Sequence, residues 1–286
     1  CEPEHVFRFT GIKAVPVPSL LRGFSAPVKL KFAYKREELE LLLRHDPDGY
    51  VRYEASQRLI LENLDHKMQK IAEGQTSDPD SHLAELILCV MEDTTLDPAL
   101  RTILATLPPL SSVVELTEPL DHDRAKKALD EIRFCLCATG KSRLEKLYGT
   151  LTHELGPIYK RDPGSMGMRS LKNLCLAYLA AAKNKDAISL SYGQFRSGSC
   201  MTDVFAALMT LCHTASQEMH AALEEFCMRW RHDSLVMDKW FAVQAAADLP
   251  DVLENVQRLE KHPLFDRFNP NKLRALYLTF ASNLPY

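Results

Sequence analysis

The chain has 286 residues, of which 46% are hydrophobic, and it is long enough to bury the core of one large domain or of two unequal ones. Its 35 basic and 38 acidic residues are mixed along the chain, which excludes the basic surface that nucleic-acid binding requires. No apolar run reaches the roughly 18 residues of a membrane span, and the cysteines lie mostly within apolar helical patterns. We therefore predict a cytoplasmic protein that contacts neither nucleic acid nor membrane.

Residues 1–34 are rich in valine, phenylalanine and proline, with Gly11 and Gly23 as breaks and a weak alternation in VKLKF. This pattern favours short strands and extended segments. Because a few strands cannot form a stable sheet by themselves, we predict that this segment is the end of a β domain whose other strands lie outside the chain.

From Lys35 onward, apolar residues recur every three to four positions, which predicts about a dozen helices. Two apolar faces illustrate the spacing, namely Ala125, Leu129, Ile132 and Leu136, and then Met219, Leu223, Phe226 and Trp230. Helix starts are predicted where a capping side chain precedes the apolar pattern, at Asp121, Thr202, Asp248 and Asn269, the last followed by Pro270.

The connections between these helices are short, and no sequence repeat is evident. Many short helices of similar size favour an α-solenoid of stacked antiparallel helix pairs, of the HEAT or armadillo kind, over residues 35–286. The proline-rich stretch TLPPLSSVVELTEPLD at 106–121 is the clearest interruption and is predicted to mark a bend between two stacks.

Isolated histidines and cysteines offer no complete catalytic or metal site. His153 and Glu154 begin like an HExxH helix, but Pro157 occupies the position of the second histidine, so His153 is predicted to be a helix-end residue. Cys135 and Cys137 point to different faces of a helix and are predicted to be buried structural thiols.

Further side chains receive structural interpretations. His220 and Glu224 have chelating spacing, but two ligands alone favour a surface hydrogen bond. Trp230, Trp240 and Phe241 are predicted core residues, and Asn173 and Arg196 are predicted to make polar contacts between helices. In MDKWF, Asp238 and Lys239 are interpreted as a charged pair beside a packed helix.

Several strings together resemble the carboxy-terminal third of bacterial-type aminopeptidase N, a zinc metallopeptidase of the gluzincin group. They are VPVPSLLRGFSAPVKL, YVRYEASQRLI, LKNLCLAYL, MTDVFAAL, SLVMDKWFAVQA and HPLFDRFNPNKLRAL, in one register over essentially the whole chain. The resemblance implies that residues 1–34 are the terminal strands of a β-sandwich domain and that 35–286 are a helical solenoid, truncated because family members continue past Tyr286.

The resemblance also implies a division of roles within the parent enzyme. Zinc belongs to a separate catalytic domain, whose HExxH and GxMEN motifs do not occur here, so this chain is expected to hold no metal, to need no cofactor and to be inactive alone. Its partners would be the catalytic domain of the same polypeptide and the peptide substrates. The domain would cap the catalytic chamber and restrict access to it.

In the family motif NPNRxR, the last arginine faces the substrate cavity. The matching residues are Asn269, Pro270, Asn271, Lys272 and Arg274, so the cavity-lining role is carried to Arg274, with Lys272 replacing the usual arginine. A solvated or capping arginine stays open as the alternative.

Two other function classes remain open. A free-standing α-solenoid adaptor would bind a peptide or protein along its concave face. A hydrolase built on the isolated histidines and cysteines has little support, because neither a triad nor a second ligand set is present.

Overall fold

The computed structural model describes residues 4–75, 80–115, 119–284 and 286, which divide into compact units 1–59 and 60–286. The helices are α1 (Arg36–His45), α2 (Gly49–Ala72), α3 (Ser81–Glu92), α4 (Pro98–Ala105), α5 (Leu110–Val114), α6 (His122–Leu155), α7 (Pro163–Ala180), α8 (Lys185–Ser197), α9 (Met201–Leu211), α10 (Gln217–Trp230), α11 (Ser234–Ala245), α12 (Val252–Leu259) and α13. The last of these, α13, comprises Pro270–Leu273, the π-helical turn Arg274–Leu278 and Thr279–Ala281.

The predicted strands of the amino-terminal segment are not found among residues 4–34, which are irregular apart from a 3-10 turn at Arg22–Phe24. Strand hydrogen bonds need a neighbouring strand, and no strand occurs in the part of the chain that the structure describes. The segment is held instead by single bonds, such as Tyr34 Oη donating to the carbonyl of Pro18 at 2.8 Å. Phe7 and Phe9 remain about three-quarters exposed, at 74% and 76%.

Two of the four predicted caps are confirmed. Asp121 caps α6 by accepting from the backbone N–H of Arg124 at 2.9 Å, and Asn269 caps α13. The predictions at Thr202 and Asp248 are wrong. Helix α9 begins at Met201 after the cap Cys200, so Thr202 lies inside its first turn, and α12 begins only at Val252, after Asp251. Asp248 lies before that helix, and its carboxylate accepts hydrogen bonds from Lys126 and Tyr286, which are distant in sequence.

The predicted mainly helical, paired architecture is confirmed in the unit 60–286. Helices that follow one another pack as pairs, and each pair packs on the next, as α3 does on α6, α4 and α9 on α7, and α8 on α10. Because each helix contacts mainly its near neighbours in the chain, the fold grows by addition of pairs.

Helix α6 is the longest helix, and it carries the predicted apolar face into the core. Ala125, Leu129, Ile132 and Leu136 are all at most 3% exposed. In the proline-rich stretch before it, α5 is a single short helix, and residues 116–118 lie outside the described residues. Neither α6 nor another helix in the described ranges is apolar enough over a sufficient length to cross a bilayer.

Two glycines allow helices to approach closely. A β-carbon at Gly140 of α6 would lie 2.5 Å from Leu88 Cδ2 of α3, and one at Gly167 of α7 would lie 2.8 Å from the backbone nitrogen of Ala99 in α4. A leucine side chain can rotate away, but a helix backbone cannot. The contact between α4 and α7 therefore depends on Gly167.

We predict that Gly167→Ala lowers the free energy of unfolding by about 1–2 kcal/mol, because overpacking outweighs the higher helix propensity of alanine. Gly149→Ala is the matched control on α6, since a β-carbon there has open space and should raise stability by about 0.5–1 kcal/mol. Denaturant unfolding of both variants checks this. A stabilised Gly167→Ala would show that α4 and α7 are not in tight contact.

Candidate functional site

The motif NPNKLR forms the start of α13. Asn269 Oδ1 accepts from the backbone N–H of Asn271 at 2.9 Å, and Pro270 occupies the first turn, where its missing N–H has no cost. One turn later the chain enters the π-helical turn at Arg274. The motif therefore fixes the start and the rotation of the last helix.

Lys272 is the buried member of the motif. Its ammonium donates to Asp238 Oδ1 at 2.5 Å and to the carbonyl of Ser234 at 2.7 Å, both on α11. The side chain is 5% exposed and that of Asp238 is 18% exposed. The predicted pairing of Asp238 with Lys239 is wrong, because Lys239 extends over the ring of Phe205 and Lys272 takes the carboxylate.

Arg274 is the exposed member of the motif. It lies two residues after Lys272, so its side chain leaves α13 on a different face. Its guanidinium has no bonding partner among the described residues, whereas its carbonyl accepts from Thr279 Oγ1 at 3.3 Å. The side chain is therefore free to meet a ligand from outside this chain.

An aromatic cluster lies beneath the motif. The ring of Phe241 packs edge-on against Phe265 and His262, and Phe265 in turn packs against Tyr277 of α13. Lys272 Nζ lies 5.7 Å from the centre of the Phe241 ring. Trp240 and Phe241 are buried, as predicted, and Trp240 Nε1 donates to the carbonyl of Leu223 at 2.9 Å. Trp230 is partly buried and packs against the same core.

The remaining motif residues have structural surroundings. His153 is in the last turn of α6, which ends at Leu155, as predicted from Pro157. Cys135 and Cys137 are buried, and Cys137 Sγ lies 3.8 Å from the carbonyl oxygen of Leu179. Burial raises the pKa of the Cys137 thiol, which disfavours the reactive thiolate.

On the surface of α10, His220 and Glu224 are both exposed, and no bond joins them. Arg196 of α8 pairs with Glu225 at 3.1 Å, which is one of the predicted contacts between helices. Across the part of the chain that the structure describes, no three histidine, cysteine or acidic side chains come together as metal ligands.

A polar network joins four helices around Asp203. Its two carboxylate oxygens accept from Lys172 Nζ at 2.5 Å and from Asn173 Nδ2 at 3.1 Å, both on α7. Gln194 of α8 donates to Asn173 Oδ1 at 2.8 Å and accepts from Tyr148 Oη of α6 at 2.9 Å. This confirms the predicted interhelical role of Asn173. Burial and the charge of Asp203 raise the pKa of Tyr148 to about 12.

Asp248 connects segments that are far apart in sequence. Its Oδ2 accepts from Lys126 at 3.2 Å and Lys183 at 3.3 Å, and its Oδ1 accepts from Tyr286 at 2.9 Å. Burial alone would raise its pKa, but the bond from Tyr286 and the two ammonium groups outweigh burial and lower the pKa to about 2.

His213 lies on the other side of Asp248. Its Nδ1 accepts from the backbone N–H of Asp248 at 3.0 Å, so the neutral ring is the form that fits. Burial lowers the pKa of His213, and this effect exceeds the opposing influence of the Asp248 carboxylate. The sequence analysis assigned Asp248 only as a helix cap, and it gave no signal for His213 beyond a histidine within an apolar stretch.

Comparison with known proteins places these features in a family. Residues 36–286 match the family described as a domain of unknown function with ARM repeats, DUF3458_C. Aminopeptidase N of Escherichia coli is 32% identical over 285 residues, which is 99% of this chain and 32% of that protein. Aminopeptidase N of Haemophilus influenzae is 33% identical over 282 residues, again 99% of this chain and 32% of the relative.

A solved structure gives the same result. The crystal structure of Legionella pneumophila aminopeptidase A in complex with aspartic acid matches with a TM-score of 0.82 and 29% identity. The match covers 96% of this chain and 32% of that one. The chain thus spans about a third of the length of the proteins that it matches.

We predict that Lys272→Met lowers the free energy of unfolding by about 2–4 kcal/mol, because it leaves the Asp238 carboxylate and the Ser234 carbonyl without their donor. Lys239→Met is the matched control, since it removes the same charge from an exposed side chain and should cost less than about 1 kcal/mol. Denaturant unfolding measures both. Equal losses would contradict the structural role of Lys272.

We predict that stability falls with acid through His213. The unfolded chain binds a proton near pH 6.5 and the folded chain only at lower pH, so unfolding becomes easier as pH falls below about 6.5, by at most about 1.4 kcal/mol per pH unit. His213→Asn keeps an acceptor for Asp248 and should flatten part of this slope between pH 7.5 and 5.5 in thermal unfolding. His262, whose pKa burial also lowers, would supply the remainder. An unchanged slope in His213→Asn, matching that of exposed His220→Asn, would contradict the assignment.

Proposed function

Because the chain belongs to the DUF3458_C family of ARM-repeat domains and is the carboxy-terminal region of an aminopeptidase of the N type, we propose that it forms a non-catalytic wall of that enzyme's substrate chamber. In this proposal the catalytic domain of the same polypeptide holds zinc and removes amino-terminal residues from peptides in the cytoplasm. The helical domain caps the chamber and limits which peptides enter.

The observation that carries the proposal is the arrangement at α13. The buried ammonium of Lys272 fixes the helix to α11, and the guanidinium of Arg274 remains exposed without a partner among the described residues. Guanidinium groups pair well with carboxylates and peptide carbonyls. We propose that Arg274 contacts the distal part of a bound peptide, while Asn269 and Asn271 shape the turn that presents it.

The proposed division of labour differs from that of a free-standing adaptor. An adaptor would bind a peptide or protein without help from another domain, whereas a chamber wall acts only when the catalytic domain is present. The similarity over about a third of each relative's length supports the wall.

We expect Arg274→Ala in the intact enzyme to lower kcat/KM about tenfold for peptides of four or more residues, which corresponds to the loss of one charge-assisted hydrogen bond. Hydrolysis of an aminoacyl amide, which does not extend to Arg274, should be unchanged. Arg267→Ala is the matched control, because Arg267 is exposed nearby with its guanidinium 5.2 Å from the centre of the Phe268 ring. Unaltered kinetics of Arg274→Ala on long peptides would refute the contact.

We also expect the purified 286-residue chain to contain no stoichiometric zinc and to cleave no aminoacyl amide. Elemental analysis after dialysis and a chromogenic amide assay check this. Robust cleavage would contradict the non-catalytic role, and tight binding of peptides by the isolated chain would favour the adaptor.

A further inference from the structure

A pocket lies apart from α13, where the end of α6, the connection to α7 and the connection from α8 to α9 meet. Its volume is about 150 Å³, and its walls include the peptide segment from Gly156 to Lys160, the side chains of Arg169 and Lys172, and the segment from Ser197 to Ser199. The pocket is open to solvent on one side and lies wholly within the unit 60–286.

The charge of this pocket is positive. Lys160, Arg169 and Lys172 are its cationic side chains, and Asp203 is its only acidic one among the lining residues. The carboxylate of Asp203 is already bonded to Lys172 and Asn173. No other lining residue offers Lys160 or Arg169 a carboxylate. The Asp162 carboxylate, which bonds the lining residue Ser165, lies near Lys160, and its pKa is lowered by the bonds from Ser165 and also by the charge of Lys160.

Arg169 is the most informative of these residues. Arg169 is only 5% exposed, and its Nη2 donates to the carbonyl of Lys160 at 2.8 Å. The guanidinium also lies 4.7 Å from the centre of the Tyr159 ring. Its Nε and Nη1 make no hydrogen bond within the described residues. An acceptor that enters the pocket would bond to these two nitrogens.

The amino-terminal end of α9 borders the pocket, with Asp203 in its first turn. This helix has 11 residues, and its N-cap, Cys200, makes no side-chain hydrogen bond to the first turn. The residues before it, Ser197 to Ser199, line the pocket. Backbone N–H groups at the start of a helix carry a partial positive charge and favour an anion.

We propose that this pocket binds a small oxyanion, either a phosphate or a carboxylate group, with Arg169 as the main ligand and Lys160 at the entrance. The flat guanidinium offers donors that match two oxygens of such a group. The site is separate from Arg274, and its test measures binding instead of peptidase activity, so this proposal and the proposed function can fail independently.

The test is a titration of the 286-residue chain with inorganic phosphate at low ionic strength, followed by NMR shifts of backbone amides and by calorimetry. We expect saturable shifts confined to the pocket, including the amides of Ser199 and Gly198. Lys160→Gln should weaken binding about threefold, as expected for one exposed charge. Arg169→Gln should weaken it at least about tenfold.

The matched control is Arg161→Gln, which removes the same charge from the next residue, outside the pocket lining. It should change affinity less than about twofold. If Arg169→Gln fails to fold, as judged by circular dichroism, Arg169→Lys keeps the charge but loses the fork, and Lys160→Gln still tests the site. Absence of saturable shifts, or equal effects of Lys160→Gln and Arg161→Gln, would overturn the proposal.

The source of the oxyanion is decided by a second titration. N-acetylglycine carries one free carboxylate, and its amide carries none. Stronger binding of N-acetylglycine than of phosphate, with no binding of the amide, assigns the pocket to carboxylates. The reverse order of affinity assigns it to phosphate groups. Equal binding of the acid and its amide would show that charge is not recognised and would contradict the proposal.

Discussion

The buried ammonium of Lys272 sets the position of the last helix. It joins the start of the last helix to α11 through Asp238 and the carbonyl of Ser234, and it lies 5.7 Å from the centre of the Phe241 ring. A buried charge is tolerated only when its donors are used, so α13 has one favourable position against α11. The exposure of Arg274 follows from that position.

The helical architecture could be predicted because it depends on short-range information. Apolar spacing placed the α6 face correctly, and the cap at Asp121 was found because an acceptor side chain bonds to an N–H only three residues away. Thr202 and Asp248 were assigned wrongly because several acceptor or polar residues cluster near each start, and packing selects among them. The predicted strands did not form because a strand depends on long-range information. It needs a neighbouring strand to pair with, and residues 4–34 contain none.

The contacts that define the sites could not be predicted, because they join residues distant in sequence. Asp238 pairs with Lys272 across 34 positions, and Asp248 with Lys126 across 122. Sequence alone offered Lys239, the adjacent charge, as the partner of Asp238. Arg274 was singled out only through the family resemblance, whereas Arg169 and His213 owe their properties to burial, which no local pattern reveals.

The most direct measurement is a double-mutant cycle between Lys272 and Arg274 in the intact enzyme, with kcat/KM for a long peptide as the readout. If Lys272 positions Arg274, then Lys272→Met lowers kcat/KM in the wild-type background but adds little once Arg274 is alanine. Additive losses, with the folded fraction held equal, would contradict the account, because the two residues would then act independently.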